Sequence, residues 1–356
     1  MLKQDLDTPS LLIDLDLVER NIAEMAAFFR GHGVGWRPHT KGQKVPEIAH
    51  MELEAGALGI TCAKLGEAEV MAEAGIRDIL IANQVVGRQK AERLAVLLDR
   101  ADVVVAVDSV ANGEELSAAA QARGKRLRVI VEIDNGMQRA GVPPGDPTVE
   151  LARHLAALPG LRFCGLMAWE AHCVGRPMDE RKPCCEEAVG KLVATARECR
   201  AAGLDAEIVS CGGTGTYQIT AGIEGITEIQ AGGGIFNDVL YESWGIEHPF
   251  ALTVMSTVTS RPTPRRIITD AGRKAMSVDI AMPRPIDLAH VDTVRLSAEH
   301  GVVNLTEPNT SLAVGDKLEW IVGYGDTTVF LHDEVVATRG DRVETTWPVL
   351  ARGRIK

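Results

Sequence analysis

Val34-Gly35-Trp36-Arg37-Pro38-His39-Thr40-Lys41 lies between two helix-like stretches and sets the architecture of everything that follows it. Upstream, Val18, Ile22, Met25 and Phe29 recur at spacings of four, three and four, which places them on one face of an amphipathic helix. Asp16 and Glu19 resemble a capping pair ahead of that face, and Gly31 and Gly33 end it. Residues 34–39 then read as a strand. Seven further strand-like runs follow, at 57–62, 78–83, 102–108, 127–134, 161–168, 207–211 and 227–231, most of them separated by Ala-rich helical segments. Eight such units in about 200–250 residues predict a (β/α)8 barrel, here over residues 16–245. An open dinucleotide-binding sheet is the rival, but no G-x-G-x-x-G follows the first strand.

Beyond about residue 249 the texture changes. Strand-like runs at 251–257, 266–270, 293–297, 317–322, 328–331 and 342–346 alternate with turns rich in Gly, Asp and Pro. They predict a second, mostly β domain over residues 246–356. Ser10–Asp14 also reads as a strand and has no place among the eight, so residues 1–15 are expected to join that second sheet.

Composition narrows the function. The 356 residues are 46% hydrophobic and 24% charged, an ordinary globular balance. A net charge of −11 disfavours nucleic acid and anionic membranes as partners. The start MLKQDLDTPS has no apolar core of a signal peptide, and no apolar run is long enough to span a bilayer. Seven cysteines, without paired C-x-x-C elements, suggest neither a disulfide framework nor a zinc ribbon. Buried free thiols in a reducing cytoplasm are the expectation.

A (β/α)8 barrel works at the C-terminal ends of its strands. Those ends carry Lys41, Asn83-Gln84, Asp108, Asp134-Asn135 with Arg139 beyond, Glu170 with His172, Gly212-Gly213-Thr214-Gly215 and Gly232-Gly233-Gly234. The two glycine turns follow the seventh and eighth strands, where barrels often hold phosphate on backbone N–H groups. The alternative for each is a plain tight turn. Period-two alternation puts Arg37, His39 and Lys41 on one face. An inward lysine near cations and a low-dielectric wall would have a lowered pKa, and its neutral amine could form an imine with a phosphate-bearing aldehyde. A solvated surface lysine is the ordinary alternative. His172 is a candidate acid or base, or simply a hydrogen-bonding histidine, and Trp169 packs on the cofactor or on the barrel wall.

Asp7-Thr8-Pro9-Ser10-Leu11-Leu12-Ile13-Asp14, Arg37-Pro38-His39-Thr40-Lys41, Glu132-Ile133-Asp134-Asn135-Gly136, Arg139-Ala140-Gly141-Val142 and Gly212-Gly213-Thr214-Gly215-Thr216-Tyr217 resemble, in order, the D-threonine aldolase and D-serine dehydratase group of the alanine-racemase-like fold type III enzymes. The resemblance implies pyridoxal 5'-phosphate (PLP), a C-terminal β domain and a homodimer. It implies a Schiff base at Lys41, phosphate held by Gly213, Thr214, Gly232 and Gly233, Arg139 near the cofactor ring, and Gln230 at the pyridine nitrogen. The implied substrate is a β-hydroxy D-amino acid. The implied reaction is retro-aldol cleavage to glycine and an aldehyde, with dehydration of a D-serine or 3-hydroxyaspartate type substrate, racemisation and a non-catalytic PLP carrier as alternatives.

The group's divalent-metal motif is His-x-Asp in aldolases and His-x-Cys in dehydratases. Here the segment is Tyr324-Gly325-Asp326, so Asp326 is the candidate ligand and Tyr324 stands in the histidine position. A metal held by Asp326 and waters would be hard, Mg2+ or Mn2+. Tyr324 could instead supply a phenol to proton transfer.

Overall fold

The computed structural model describes residues 1–356. The chain divides into two compact units. The barrel unit holds residues 25–41, 48–232 and 353–356, and the β unit holds 1–24, 42–47 and 233–352. The division therefore falls at Gly232/Gly233, ahead of the expected 245/246, and residues 16–24, 42–47 and 353–356 each lie in the unit opposite to their expected one.

In the β unit, β1 (Ser10–Asp14) leads into α1 (Leu15–His32), which runs on into the barrel unit. All four residues of the expected apolar face, Val18, Ile22, Met25 and Phe29, are buried. Eight barrel strands follow: β2 (Gly35–Trp36), β3 (Ile60–Cys62), β4 (Asp78–Gln84), β5 (Asp102–Val107), β6 (Leu127–Glu132), β7 (Leu161–Met167), β8 (Ile208–Cys211) and β9 (Glu228–Ile229). Between and after them come α2 (Pro46–Glu54), α3 (Leu65–Glu73), α4 (Arg88–Leu97), α5 (Val110–Ala122), α6 (Asp146–Ala157), α7 (Met178–Ala201) and α8 (Tyr217–Thr220).

The strands pair in the order β2-β9-β8-β7-β6-β5-β4-β3, and every neighbouring pair is parallel. The free edges then meet. His39 bridges Thr61, the Thr61 N–H donates to the Pro38 carbonyl at 2.8 Å, and the Leu58 N–H donates to the Trp36 carbonyl at 2.8 Å. Closure leaves no unpaired edge, which is what parallel strands of this kind require. Buried Leu80, Val104, Ala106, Ile130, Cys164, Met167 and Ile208 form one cluster contributed by five successive strands.

One ionic group reinforces the seam. Arg37, just beyond β2, sends Nε to Glu228 Oε1 and Oε2 on β9, both at 3.0 Å, and Nη1 to Asp78 on β4 at 2.6 Å. Arg37 and Glu228 side chains are each only 4% exposed. Burial opposes the guanidinium charge, but Glu228 and Asp78 outweigh it and hold the Arg37 pKa above its ordinary value. The side chain is thus a structural tie.

The β unit carries α9 (Val239–Ser243), β10 (Leu252–Thr263), β11 (Arg266–Thr269), β12 (Arg284–Pro285), β13 (Val291–Leu296), β14 (Gly301–Leu305), β15 (Lys317–Ile321), α10 (Gly325–Thr328), β16 (Glu334–Arg339) and β17 (Arg342–Pro348). Its main sheet runs β13-β14-β11-β10-β1-β16-β17, with β15 on β10 and β12 on β15. The N-terminal strand does join this sheet, antiparallel to β10 and parallel to β16. One expected strand is wrong: 328–331 is helical, in α10 and a 3-10 turn over Val329–Leu331. The cause is local capping, since Asp238 Oδ2 accepts the Gly325 N–H at 2.8 Å and the Thr328 hydroxyl donates to the Tyr324 carbonyl at 2.9 Å. The β14 and β16 strands went unread, their alternation being masked by flanking polar residues. No helix is long and apolar enough to cross a membrane.

Because Arg37 would be left buried and under-compensated, Glu228→Gln is expected to lower unfolding stability by about 3–5 kcal/mol. Equilibrium denaturation in urea checks this.

Candidate active site

Parallel pairing in a closed barrel gathers the C-terminal ends of β2 through β9 at one mouth. The sharpest geometric fact there is at Gly232. A Cβ on this residue would stand 2.4 Å from the His39 carbonyl oxygen and 2.6 Å from the His39 nitrogen. Only glycine lets the chain beyond β9 come so near the chain beyond β2. Lys41 follows two residues later, in a 3-10 turn over Thr40–Gly42. Strand alternation therefore stops short of Lys41, and its side chain is exposed in place of the expected low-dielectric wall. Thr40, by contrast, is buried and anchors the turn by donating to Glu67 at 2.8 Å.

The second glycine turn is held from beneath. Gly213 lies under Trp169, where an added Cβ would sit 2.3 Å from the indole ring. Trp169 thus packs on the turn itself. The bonds of the turn engage the N–H groups of Gly212, Gly213, Thr216 and Tyr217. Below it lies Glu170, which is fully buried. The Thr216 hydroxyl donates to Glu170 Oε1 at 2.5 Å, and the Gly212 N–H points to Oε2 at 3.4 Å. Burial pushes the Glu170 carboxyl up to about 7, against the Thr216 hydrogen bond. Thr214 and Gln230 are both buried, and Gln230 Nε2 donates to Ser210 Oγ at 2.9 Å.

Arg139 is presented by a folded-back loop. Asp134 accepts the N–H groups of Gly136 and Gln138 at 3.0 and 2.9 Å, and Ile133 bridges Val142. These bonds hold the Asp134 carboxylate below its ordinary range. Arg139 returns to Glu132 at 3.2 Å, and Gln84 donates to the other Glu132 oxygen at 2.5 Å. Glu132 is 5% exposed while Arg139 is 51% exposed, so the carboxylate anchors an arginine that still faces out.

His172 and Asn135 line a cavity of about 510 Å³ with Arg176, Cys184, Glu187 and Lys191. The Nδ1 of His172 and both amide atoms of Asn135 are buried without a hydrogen-bond partner. Buried polar atoms are normally satisfied, so these three stand out. Burial lowers the His172 pKa, and Arg176 and Lys191 add to that.

One cysteine expectation fails. Cys173 and Cys184 form a disulfide, with Cα atoms 5.7 Å apart, because the turn after β7 folds directly onto the first turns of α7. The other five cysteines are free and buried, as expected.

Two candidates lie in the β unit instead. A Cβ at Gly233 would sit 2.4 Å from the Tyr241 hydroxyl, so this glycine serves a packing contact there. Asp326 gives Oδ2 to the Tyr324 hydroxyl at 2.9 Å and Oδ1 to the Tyr241 hydroxyl at 3.4 Å. Burial, followed by the Asp326 charge, raises the Tyr324 phenol well above its ordinary pKa. Within this unit no set of three histidine, cysteine or carboxylate ligands converges on Asp326.

The barrel residues do fit a phosphate-bearing aldehyde: an exposed lysine beside the seam, a glycine-threonine turn braced from below, an anchored arginine and unpartnered buried amide atoms. Glu170 was legible as a polar strand end and Glu132 as part of a motif, but their bracing of the Gly212–Gly213 turn and of Arg139 was not.

Residues 13–238 match the family model of the alanine racemase N-terminal domain, and residues 251–338 match a putative serine dehydratase domain. A 3-hydroxy-D-aspartate aldolase of Paracoccus denitrificans (strain Pd 1222) is 37% identical over 364 residues, covering 99% of this chain and 94% of that protein. The crystal structure of a D-threonine aldolase from Filomicrobium marinum superposes with a TM-score of 0.95 at 37% identity, covering 99% and 97%. A D-threo-3-hydroxyaspartate dehydratase from Delftia sp. HT23 superposes at 0.89 with 28% identity, covering 98% and 99%.

Glu170 stands directly behind the Gly212–Gly213 turn, so its ionised form would repel an anion placed there. Affinity of the apoprotein for inorganic phosphate, read by Trp169 fluorescence, is therefore expected to weaken as pH rises through about 7. The loss is up to about tenfold per pKa unit of coupling. Glu170→Gln is expected to flatten that step.

Proposed function

The chain belongs to the family of the alanine racemase N-terminal domain, and from that premise we propose that it is a PLP-dependent lyase that cleaves a β-hydroxy D-amino acid to glycine and an aldehyde. The observation that supports this most is the contact of Gly232 with His39, which holds a glycine turn beside the strand end bearing Lys41. By sequence the Paracoccus aldolase is 37% identical over 99% of the chain, against 34% over 77% for the Delftia dehydratase, and by superposition the Filomicrobium aldolase is 37% identical against 28% for the Delftia enzyme, so retro-aldol cleavage is favoured over elimination.

Lys41 supplies the amine that holds the cofactor. Gly213, Thr214 and Gly232, with Gly233 next in sequence, hold its phosphate, and Arg139 and Gln230 flank its ring. Bound PLP supplies an electron sink for cleavage next to the amino group. The protein supplies the rest. Glu132 fixes Arg139, so that the guanidinium meets an anionic group without first having to be ordered. Trp169 covers one side of the phosphate turn and keeps water from it. His172 is the base for the β-hydroxyl proton. Its lowered pKa keeps the imidazole neutral at neutral pH, so it has a lone pair to accept a proton. We propose further that Asp326 works as a partner of two phenols and holds no metal, because both of its oxygens already accept from tyrosine. The homodimer implied by the resemblance is part of the same reading, and light scattering measures it.

Incubation with D- and L-β-hydroxy amino acids tests the function. Glycine plus aldehyde from the D-isomers is expected. Ammonia plus a 2-oxo acid would mean a dehydratase, and the mirror-image amino acid a racemase. His172→Gln is expected to lower kcat by roughly 10²–10⁴-fold. It should also remove an acidic limb of the pH profile that lies below the ordinary histidine range, since activity falls as the neutral imidazole is protonated. EDTA is expected to leave wild-type activity intact. Tyr324→His is expected to create a Mn2+ site visible by electron paramagnetic resonance, where the wild type shows none.

A further inference from the structure

We propose that His172, Cys173 and Cys184 form a binding site for a zinc-class ion when the two cysteines are reduced, and that the disulfide is the oxidised, ion-free form of that site. One ligand atom from each residue lies within 4.8 Å of the other two. In the oxidised form the two sulfurs are bonded to each other. Zn–S bonds of about 2.3 Å in a tetrahedral site hold two sulfurs roughly 3.8 Å apart, so on reduction the thiolates part by side-chain rotation while the imidazole stays within reach.

The backbone brings these groups together without strain on a long loop. His172 and Cys173 sit in the 3-10 turn after β7, and Cys184 sits near the start of α7. Cys173 is fully buried and Cys184 half-buried, so one sulfur is shielded while the other faces the cavity. The cavity of about 510 Å³ provides the open position. Water can fill it, or Asn135, whose buried amide oxygen has no partner in the chain. The unpartnered Nδ1 of His172 is the other unexplained atom at this place. The disulfide leaves the His172 imidazole without a role beside the two sulfurs, and an ion ligated by all three gives it one.

Donor chemistry sets the class of ion. Two thiolates and an imidazole suit zinc, cadmium or cuprous copper and do not suit Mg2+ or Mn2+. Binding zinc releases the two thiol protons. Formation of the disulfide removes two electrons and two protons, which glutathione disulfide accepts as it becomes two glutathiones. The two states exclude one another, because a disulfide sulfur has no thiolate charge to offer. Where His172 is the base proposed above, an ion on its ring takes the lone pair and stops that role. This last consequence rests on the functional reading; the binding itself does not.

The test uses the full chain with its cofactor, reduced with a phosphine and titrated with Cd2+. Wild type is expected to bind one ion per chain with a thiolate-to-cadmium charge-transfer band in the ultraviolet. Mass spectrometry after alkylation should show Cys173 and Cys184 protected by the ion, and neither labelled after treatment with glutathione disulfide. Cys184→Ser should abolish the band, and His172→Gln should weaken binding at least tenfold, with circular dichroism confirming that both variants fold. A reduced wild type that binds no more Cd2+ than Cys184→Ser overturns the proposal. So does a disulfide that resists reduction in the folded protein, or His172→Gln binding with unchanged affinity. Retained Cd2+ binding without lyase activity would sink the functional reading and leave the ion site standing.

Discussion

A backbone cannot approach another backbone closely through a side chain, and at residue 232 the barrel depends on that. The missing Cβ of Gly232 lets the chain beyond the last strand lie against His39, at a spacing of 2.4–2.6 Å for any added carbon. On the same two segments, just earlier, Arg37 is clamped by Glu228. The seam is therefore held by a buried ion pair at one level and by bare backbone contact at the next. Everything placed at the mouth follows from the strands being registered there. Lys41 leaves the first strand in a short turn, and Gln230 and Gly232 leave the last.

The electrostatics of the mouth are divided between groups whose proton affinity the surroundings shift in opposite directions. Glu170 is a carboxyl that burial pushes up to about 7, directly behind the Gly212–Gly213 turn. His172 is an imidazole that burial and two neighbouring cations keep neutral. Asp134 goes the other way: three backbone N–H groups keep it ionised, which fixes the loop that carries Arg139. A site that must hold a dianion, an amine and a substrate carboxylate together needs such a division, because unpaired buried charge of one sign is too costly.

Much of this was legible in the sequence. The eight strands were, because each is a short β-branched run followed by an Ala-rich helix. The N-terminal strand was assigned to the second sheet because the barrel already had eight. The failures have local causes. Residues 328–331 carry strand-like Thr, Val and Phe, yet Asp238 caps a helical turn there from far away in sequence. Period-two reasoning carried Lys41 inward, but a 3-10 turn intervenes. The Cys173–Cys184 pair has no motif spacing and emerges only when the turn after β7 meets α7. Glu170 shows its character only once its burial is known, since a glutamate at a strand end has the same letter whether it is solvated or sealed beneath a turn.

The central claim is that one amine and two glycine turns share one pyridoxal at the barrel mouth. Reduction of the yellow holoprotein with borohydride, followed by peptide mass mapping, addresses it directly. The account requires a phosphopyridoxyl adduct on Lys41 and on no other lysine, with loss of the visible band. An adduct on a different lysine, or a band that survives unchanged in Lys41→Ala, would contradict it.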